Sequence, residues 1–469
     1  MDHGNLALDV TAAGLDRPDH PALLVVGSEG PQVVRTHADL SDAIARRAGG
    51  LARLSLPPQA RVMLRLGNTP DFPILFLACA AAGLVPVATS AALTDVEVAK
   101  QAEVVAPALA IAADGLPVPP GVPVAMPGEL AAAPLARAEW ARGPVDRLGY
   151  IVFTSGSGGT PKAVAHAHRA IRARRLMWDG WYGLRRTDRV MHAGAFNWTY
   201  TLGTGLLDPW AIGATAVIPA AGTPTAALPE LMAATGATIF AAVPGIYRRL
   251  LRTTMPALPS LRHGLSAGER LPDGIRTGWR DATGTDIHEA LGMSECSTFV
   301  SGSPARPAPP GTSGYAQPGR SIDVAEGRLR ISTRDPGLML GYWRDGAPVP
   351  PDGPWFETGD RVACAPDGAI RYVGRADDIL NPGGHRVSPL EIEEALTGLP
   401  VEDLAVGQVT VAGGATVLAA YYVGAPLDEA AADGFAATRL AAWKRPRLWL
   451  RRARLPRNAN GKLRRRELA

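Results

Sequence analysis

Four charged side chains, each in an unusual local sequence, are candidates for chemistry. They are Lys162 in TSGSGGTPK (154–162), Glu295 in HEALGMSE (288–295), Asp360 in WFETGD (355–360) and Lys462 in PRNANGKLRR (456–465). The first needs no further context. Gly156, Gly158 and Gly159 let backbone N–H groups turn inward, while Thr154, Ser155, Ser157 and Thr160 add hydroxyl donors. With the movable ammonium of Lys162, this set suits a polyphosphate. The competing reading is a mobile Ser/Gly linker, but the segment directly follows the apolar run YIVF (150–153), where linkers seldom sit. It is not the nucleotide loop G-x-x-x-x-G-K-[ST], because Lys162 follows Pro161 and precedes Ala163.

Composition sharpens the interest in lysine. Of 48 basic residues only Lys100, Lys162, Lys444 and Lys462 are lysine, so arginine fills the generic basic positions. A lysine in such a chain is worth weighing as a compact, flexible ammonium rather than a planar fork. The net charge of +4 over 469 residues is thin, which argues against nucleic acid as a partner. Cys79, Cys296 and Cys364 are scattered with no C-x-x-C pair, excluding a zinc knuckle and fitting a reducing cytoplasm. The longest apolar run, 73–88, is too short to span a bilayer, and no basic stretch leads into an apolar one at the N-terminus. A cytoplasmic protein with no membrane partner is expected.

The elements that must position these residues read as α/β. Apolar residues at 46% and charged residues at 20% support a large core, and the length predicts about two to four domains. Residues 37–54 show helical spacing, 61–66 (RVMLRL) a strand, 72–82 a helix ended by Gly83, and 84–88 a second strand. Segments 115–127, 303–319 and 346–354 are rich in proline and glycine and read as loops. Around the phosphate loop the pattern is strand (150–153), loop, then a helical arginine-rich stretch (163–176). From Ala376 short strands (404–409, 416–423) mix with helices (389–396, 436–443). The expected architecture is a large N-terminal α/β domain of several subdomains (1–376) and a small mobile α+β domain (377–469).

The motifs together resemble the adenylate-forming superfamily of acyl-CoA and aryl-CoA synthetases, amino-acid adenylation domains and luciferases, closest in feel to benzoate-type CoA ligases. TSGSGGTPKAV resembles its phosphate loop, HEALGMSE its adenine and magnesium segment, WFETGD its ribose segment, GRADDILNPGGHRVSPLEIE (374–393) its hinge, and PRNANGKLRR its C-terminal lysine motif. The order is the family's, and the likeness runs from about residue 20 to the end. It implies a ligase that uses ATP, Mg²⁺ and coenzyme A. A carboxylate has a poor leaving group, so the acid is first joined to AMP with release of pyrophosphate, and charge building at phosphorus must be held.

By this resemblance Thr154 to Lys162 cradles the β- and γ-phosphates. Glu289, Leu291, Gly292, Met293 and Ser294 border the adenine, Glu295 holds Mg²⁺, Asp360 accepts from the ribose hydroxyls, and Arg375 reaches the ribose or phosphates. Lys462 bridges carboxylate and α-phosphate, although a basic tail also reads as a plain electrostatic patch. Asp377 is the hinge about which the C-terminal domain swings, bringing Gly383 and Gly384 to line the pantetheine tunnel. Arg386 contacts a CoA phosphate or pairs with Glu391, and Lys444 serves CoA or structure. A lysine acyltransferase acting on Lys462 is a further expected partner.

The acyl pocket is expected from His192, Phe196, Asn197, Trp198, Ser266, Ala267, Gly268 and Cys296. The first segment (192–205) is aromatic and uncharged, lacking the aspartate with which amino-acid adenylation domains hold an ammonium group. Gly158 replaces a usual threonine, and Leu291 stands where many relatives carry an adenine-stacking tyrosine; Glu289 would then bond the adenine amine. These departures point to an aryl or short-to-medium hydrophobic acid. The alternatives are a ligase loading a carrier-protein phosphopantetheine arm and a non-catalytic nucleotide-binding regulator, which the intact Lys162, Glu295, Asp360 and Lys462 disfavour.

Overall fold

The computed structural model describes residues 3–27, 30–154, 161–378, 380, 387–411, 416–457 and 463–468. Its fold is mixed α/β and rests on two large sheets. The nine-stranded sheet has six adjacent parallel strands at its centre, Asp286–Met293, His263–Ala267, Ile239–Ala242, Arg189–His192, Thr215–Pro219 and Pro21–Gly27, with antiparallel strands at both edges. The eight-stranded sheet places Leu148–Thr154 between the parallel Val85–Ala88 and the antiparallel Lys162–Ala167. Such near-continuous apolar strands are typical of parallel sheets buried on both faces.

Helices fill the space around the sheets. His37–Arg53 opens with a reciprocal cap between Thr36 and Asp39. Asp71–Ala81 is apolar on all sides, and every residue from Phe72 to Ala81 is buried, as expected of a helix enclosed by protein. The central parallel strands end, at their carboxyl termini, in the segments carrying His192, Ser266 and Ser294. That crevice is where open α/β sheets bind ligands.

Two expected helices differ. The 163–176 stretch begins as the strand Lys162–Ala167 and turns helical only at Arg169–Ala173. Alanine favours helix, but this strand pairs with Leu148–Thr154 on one side and Gly341–Arg344 on the other. Val164 and the pair Ala163 and Ala165 face separate cores, so ladder bonds and burial override propensity. The phosphate loop therefore joins two antiparallel strands, and no helix N-terminus follows it. The helix expected at 436–443 lies earlier, at Glu429–Ala437, started by the Asp428 side chain accepting from the Ala430 and Ala431 N–H groups.

A four-stranded sheet (Ile322–Ala325, Arg328–Ser332, Trp355–Cys364, Ile370–Arg375) follows the second large sheet, and the chain closes on a three-stranded one (Asp403–Thr410, Thr416–Val423, Leu448–Arg451). Two apolar clusters around this last sheet draw their members from residue 380 onward.

Candidate active site

Lys162 starts its strand opposite Thr154. On the neighbouring strand Tyr342 pairs with Val164, and its ring lies beneath the lysine, 5.0 Å from Nζ to the centroid. The Tyr342 hydroxyl donates to Glu295 Oε1 at 2.8 Å. Lys162 and Glu295, 133 positions apart in sequence, thus converge on one tyrosine that sequence reasoning missed. Burial, and then the Glu295 charge, raise the Tyr342 pKa, so the phenol keeps the proton it donates. Glu295 is buried, and no hydrogen bond among the described residues reaches its Oε2. One carboxylate with a free hard oxygen fits Mg²⁺, which keeps most of its waters. Among the described residues no three His, Cys, Asp or Glu side chains cluster as a protein cage. Ser155 to Thr160 lie outside the described residues.

Asp360 sits opposite Arg375 on the ladder between Trp355–Cys364 and Ile370–Arg375, with Arg375 Nη1 3.1 Å from Oδ1 and 2.7 Å from the Thr358 carbonyl. The ribose candidate and its basic neighbour are therefore adjacent. Asp377 belongs to the short turn Ala376–Asp378 that follows. Leu291, Gly292 and Met293 end the strand Asp286–Met293, which folds back through Ser294 to Cys296 into Ser297–Ser301.

Glu289 differs from its expected role as an adenine partner. Both its oxygens are engaged, Oε2 in an ion pair with Arg276 and Oε1 by the Ser313 hydroxyl at 3.1 Å. Burial raises its pKa against the opposing pull of Arg276. A carboxylate taken out of water needs such partners.

The acyl-pocket residues divide. Trp198 lies over Gly268, where a Cβ would stand 2.7 Å from the indole; this close approach, with φ at +94°, requires glycine. Behind it His192, Thr201 and Ser266 are buried, and the two ring nitrogens and both hydroxyls have no hydrogen-bond partner among the described residues. Burial holds the His192 pKa at about 3, so the ring is neutral. Ala267 packs in the same cluster as Tyr200, and Trp198 meets the Tyr200 ring edge-on. Asn197 is half-buried. Phe196, by contrast, packs edge-on against Phe72 in the main core, and Cys296 is fully buried against Arg320, which donates to its sulfur at 2.6 Å and to its carbonyl at 2.8 Å. Three residues past the end of the first pocket segment, Asp208 is buried in an ion pair with Arg174.

The C-terminal segment reaches this crevice. Glu269, next to Gly268, accepts from the Leu463 N–H at 3.0 Å and from Arg457 at 3.3 Å. Arg457 continues to Asp403 at 2.9 Å, and Arg248 meets the same carboxylate. Arg270 adds a two-pronged pair with Glu394 at 2.7 and 2.6 Å, which pulls the Glu394 pKa down. Leu463 directly follows Lys462. Lys462 itself, with Gly383, Gly384 and Arg386, lies outside the described residues. Glu391, the alternative partner for Arg386, pairs with Lys444, whose ammonium also lies over Trp443.

Comparison with known proteins gives the family. Residues 10–343 match the family described as AMP-binding enzyme. The 4-hydroxybenzoate–CoA/benzoate–CoA ligase of Rhodopseudomonas palustris is 32% identical over 402 residues, covering 78% of this chain and 74% of that protein. The p-hydroxybenzoic acid–AMP ligase FadD22 of Mycobacterium tuberculosis is 32% identical over 490 residues, covering 98% and 67%. Among solved structures, a benzoate CoA ligase from Burkholderia xenovorans LB400 superposes with a TM-score of 0.86 at 27% identity over 99% of both chains. The chain belongs to the AMP-binding enzyme family. It is an AMP-forming acid–thiol ligase, which uses ATP to convert a carboxylic acid to an acyl-adenylate and then to a coenzyme A thioester. No helix among the described residues is long and apolar enough to cross a membrane.

Proposed function

We propose that the acid is an aromatic carboxylate of the benzoate type and that the two half-reactions use the residues above in turn. The relatives' names support the acid class, and so does the aromatic wall of Trp198 and Tyr200. The loop from Thr154 to Lys162 takes the β- and γ-phosphates. Glu295, steadied by Tyr342, holds Mg²⁺, which supplies charge neutralisation on the phosphates when bound. Asp360 takes the ribose hydroxyls with Arg375 beside it. Lys462 neutralises the carboxylate and α-phosphate as the anhydride forms.

The observation that carries this reading is the Leu463–Glu269 bond, which ties the residue after Lys462 to the end of the acid-pocket strand. A lysine there occupies the face that a thiol must later attack. In this proposal residues 377–469 then swing about Asp377, withdrawing Lys462 and bringing Gly383 and Gly384 to the pantetheine arm, with Arg386 at a CoA phosphate. Acylation of Lys462 by a lysine acyltransferase removes its charge and stops the first half-reaction. Three scattered thiols, none in a disulfide, support a cytoplasmic setting.

The test is pyrophosphate release with ATP and Mg²⁺ across aliphatic, amino and aromatic acids, followed by thioester assay with free CoA and with a holo carrier protein. The reading expects release driven by aromatic acids and thioester formed on free CoA. Release driven by amino acids, or transfer to the carrier alone, contradicts it.

A further inference from the structure

Beneath the acid-pocket segment lies a small cavity of about 20 Å³, room for a single water-sized group such as a hydroxyl. Thr199, Leu202 and Gly203 form one wall, Ser294 and Ser297 another, and His166 and Arg174 close it. Its end is polar and built with care. Arg174 is buried and bonds to both oxygens of the buried Asp208, with Nε 2.9 Å from Oδ1 and Nη2 2.6 Å from Oδ2. Tyr182 donates to the same carboxylate at 2.9 Å, and its oxygen shares a hydrogen with Thr204 at 2.7 Å. A Cβ on Gly203 would overlap the Arg174 guanidinium, so glycine there is what lets the side chain lie across the backbone. Burial works against charge on Arg174, but Asp208 outweighs it and the guanidinium pKa is raised.

This group has donors to spare. Arg174 Nη1 donates to Ser297 Oγ, and its second N–H has no acceptor among the described residues. Ser297 accepts that bond and keeps its own O–H to donate, again without an acceptor among the described residues. Ser297 also holds a left-handed backbone, φ +63°, a conformation that serine rarely adopts and that sets the hydroxyl beside Arg174. Across the cavity His166 Nε2 lies 2.8 Å from the Ser294 carbonyl, which only accepts. The ring therefore carries its proton on Nε2, leaving Nδ1 as a bare acceptor, buried and without a partner among the described residues.

We infer that Arg174, fixed by Asp208, and Ser297 form a specificity site that reads a hydroxyl substituent on the ring of the acid. This deepens the aromatic-acid reading and rests on it. The Arg174–Asp208 pair is neutral as a unit, so the wall offers N–H and O–H donors without net charge. A phenolic oxygen accepts from Ser297 and Arg174, and its own proton has His166 Nδ1 to go to. An aromatic amine is a poor acceptor and leaves those donors unanswered. A second carboxylate brings an unpaired charge into a buried site. An unsubstituted ring leaves the donors dry, and sites built to bond a hydroxyl reject the analogue lacking it strongly.

The test measures kcat/KM for pyrophosphate release with benzoate, 3- and 4-hydroxybenzoate and the matching aminobenzoates, on the full chain and on Ser297→Ala and Ser297→Gly. Glycine suits the left-handed backbone and keeps the experiment sound if the alanine variant folds poorly. At least one hydroxybenzoate exceeds benzoate by about tenfold or more, and both variants lower that ratio by roughly tenfold. A purely structural serine would lower all acids together and leave the ratio unmoved. A wild-type ratio near one, a ratio unmoved in both variants, or a preference for the aminobenzoates overturns the assignment. Release with no aromatic acid at all overturns the aromatic-acid reading instead.

Discussion

The backbone N–H of Leu463 donates to the carboxylate of Glu269 at 3.0 Å, joining two residues 194 positions apart. Glu269 follows the acid-pocket strand, and Leu463 follows Lys462. Arg457 bonds the same carboxylate from the other arm of an isolated bridge that pairs Arg457 with Leu463. In the proposed reaction this clasp holds the C-terminal segment in place for the first half-reaction and opens for the second.

Glu269→Ala removes the clasp's acceptor. Hydrogen bonds involving a charged group contribute about 1.5–3 kcal/mol, so the adenylation rate falls by roughly tenfold or more. Thioester formation from supplied acyl-adenylate does not fall with it. Stopped-time assays of each half-reaction on the same preparation check this; an equal loss in both runs against it.

Tyr342→Phe keeps a ring under Lys162 but releases Glu295 Oε1. Partners that orient a metal-binding carboxylate commonly matter by about 10–100-fold in metal affinity. The Mg²⁺ concentration giving half-maximal pyrophosphate release rises by about tenfold. A magnesium titration that overlays the wild-type curve shows that Tyr342 does not orient the ligand.

Much of this was legible in the sequence, for physical reasons specific to each part. Helix 37–53 announced itself by its spacing, and the motifs named Lys162 and Glu295, which the fold brings to one tyrosine. Arg174 was hidden because it is one of 44 arginines in a stretch whose residues 162–167 turned out to be strand, and only the fold brings Asp208 against it. Tyr342 lies in a plain GYW strand, and its meaning comes from pairing with Val164. Glu289 reads as an adenine partner because local sequence does not show that Arg276, on the helix Asp273–Thr283, pairs with it.

Stability is expected to fall in mild acid. Burial holds His166 at about 4 and His192 at about 3, below the ordinary 6.5 of the unfolded chain. Both rings stay neutral in the folded state while the unfolded chain takes up protons, so stability is full above pH 6.5. It declines as pH falls toward 4, by about 1.4 kcal/mol per pH unit for each such histidine. Urea unfolding at pH 7.5 and 5 measures this; a midpoint that does not drop contradicts it.

The thiols differ sharply in access. Cys79 and Cys296 are buried and burial raises both pKa values, whereas Cys364 is exposed. In the native protein a charged thiol reagent titrates Cys364 rapidly and the other two only on unfolding. Rapid native labelling of Cys296 would show that its enclosure opens, formed by Arg320 and by the Asp335 carboxylate 3.7 Å from its sulfur.

The most direct measurement concerns Lys462. Lys462→Ala is assayed for acid-dependent pyrophosphate release and, separately, for thioester formation from synthetic acyl-adenylate and CoA. Release falls by at least about a hundredfold, since the lysine meets charge that exists only as the anhydride forms, while the thioester step stays near its wild-type rate. Equal loss of both half-reactions, or adenylation at full rate, would contradict a C-terminal lysine that serves the first step and then withdraws.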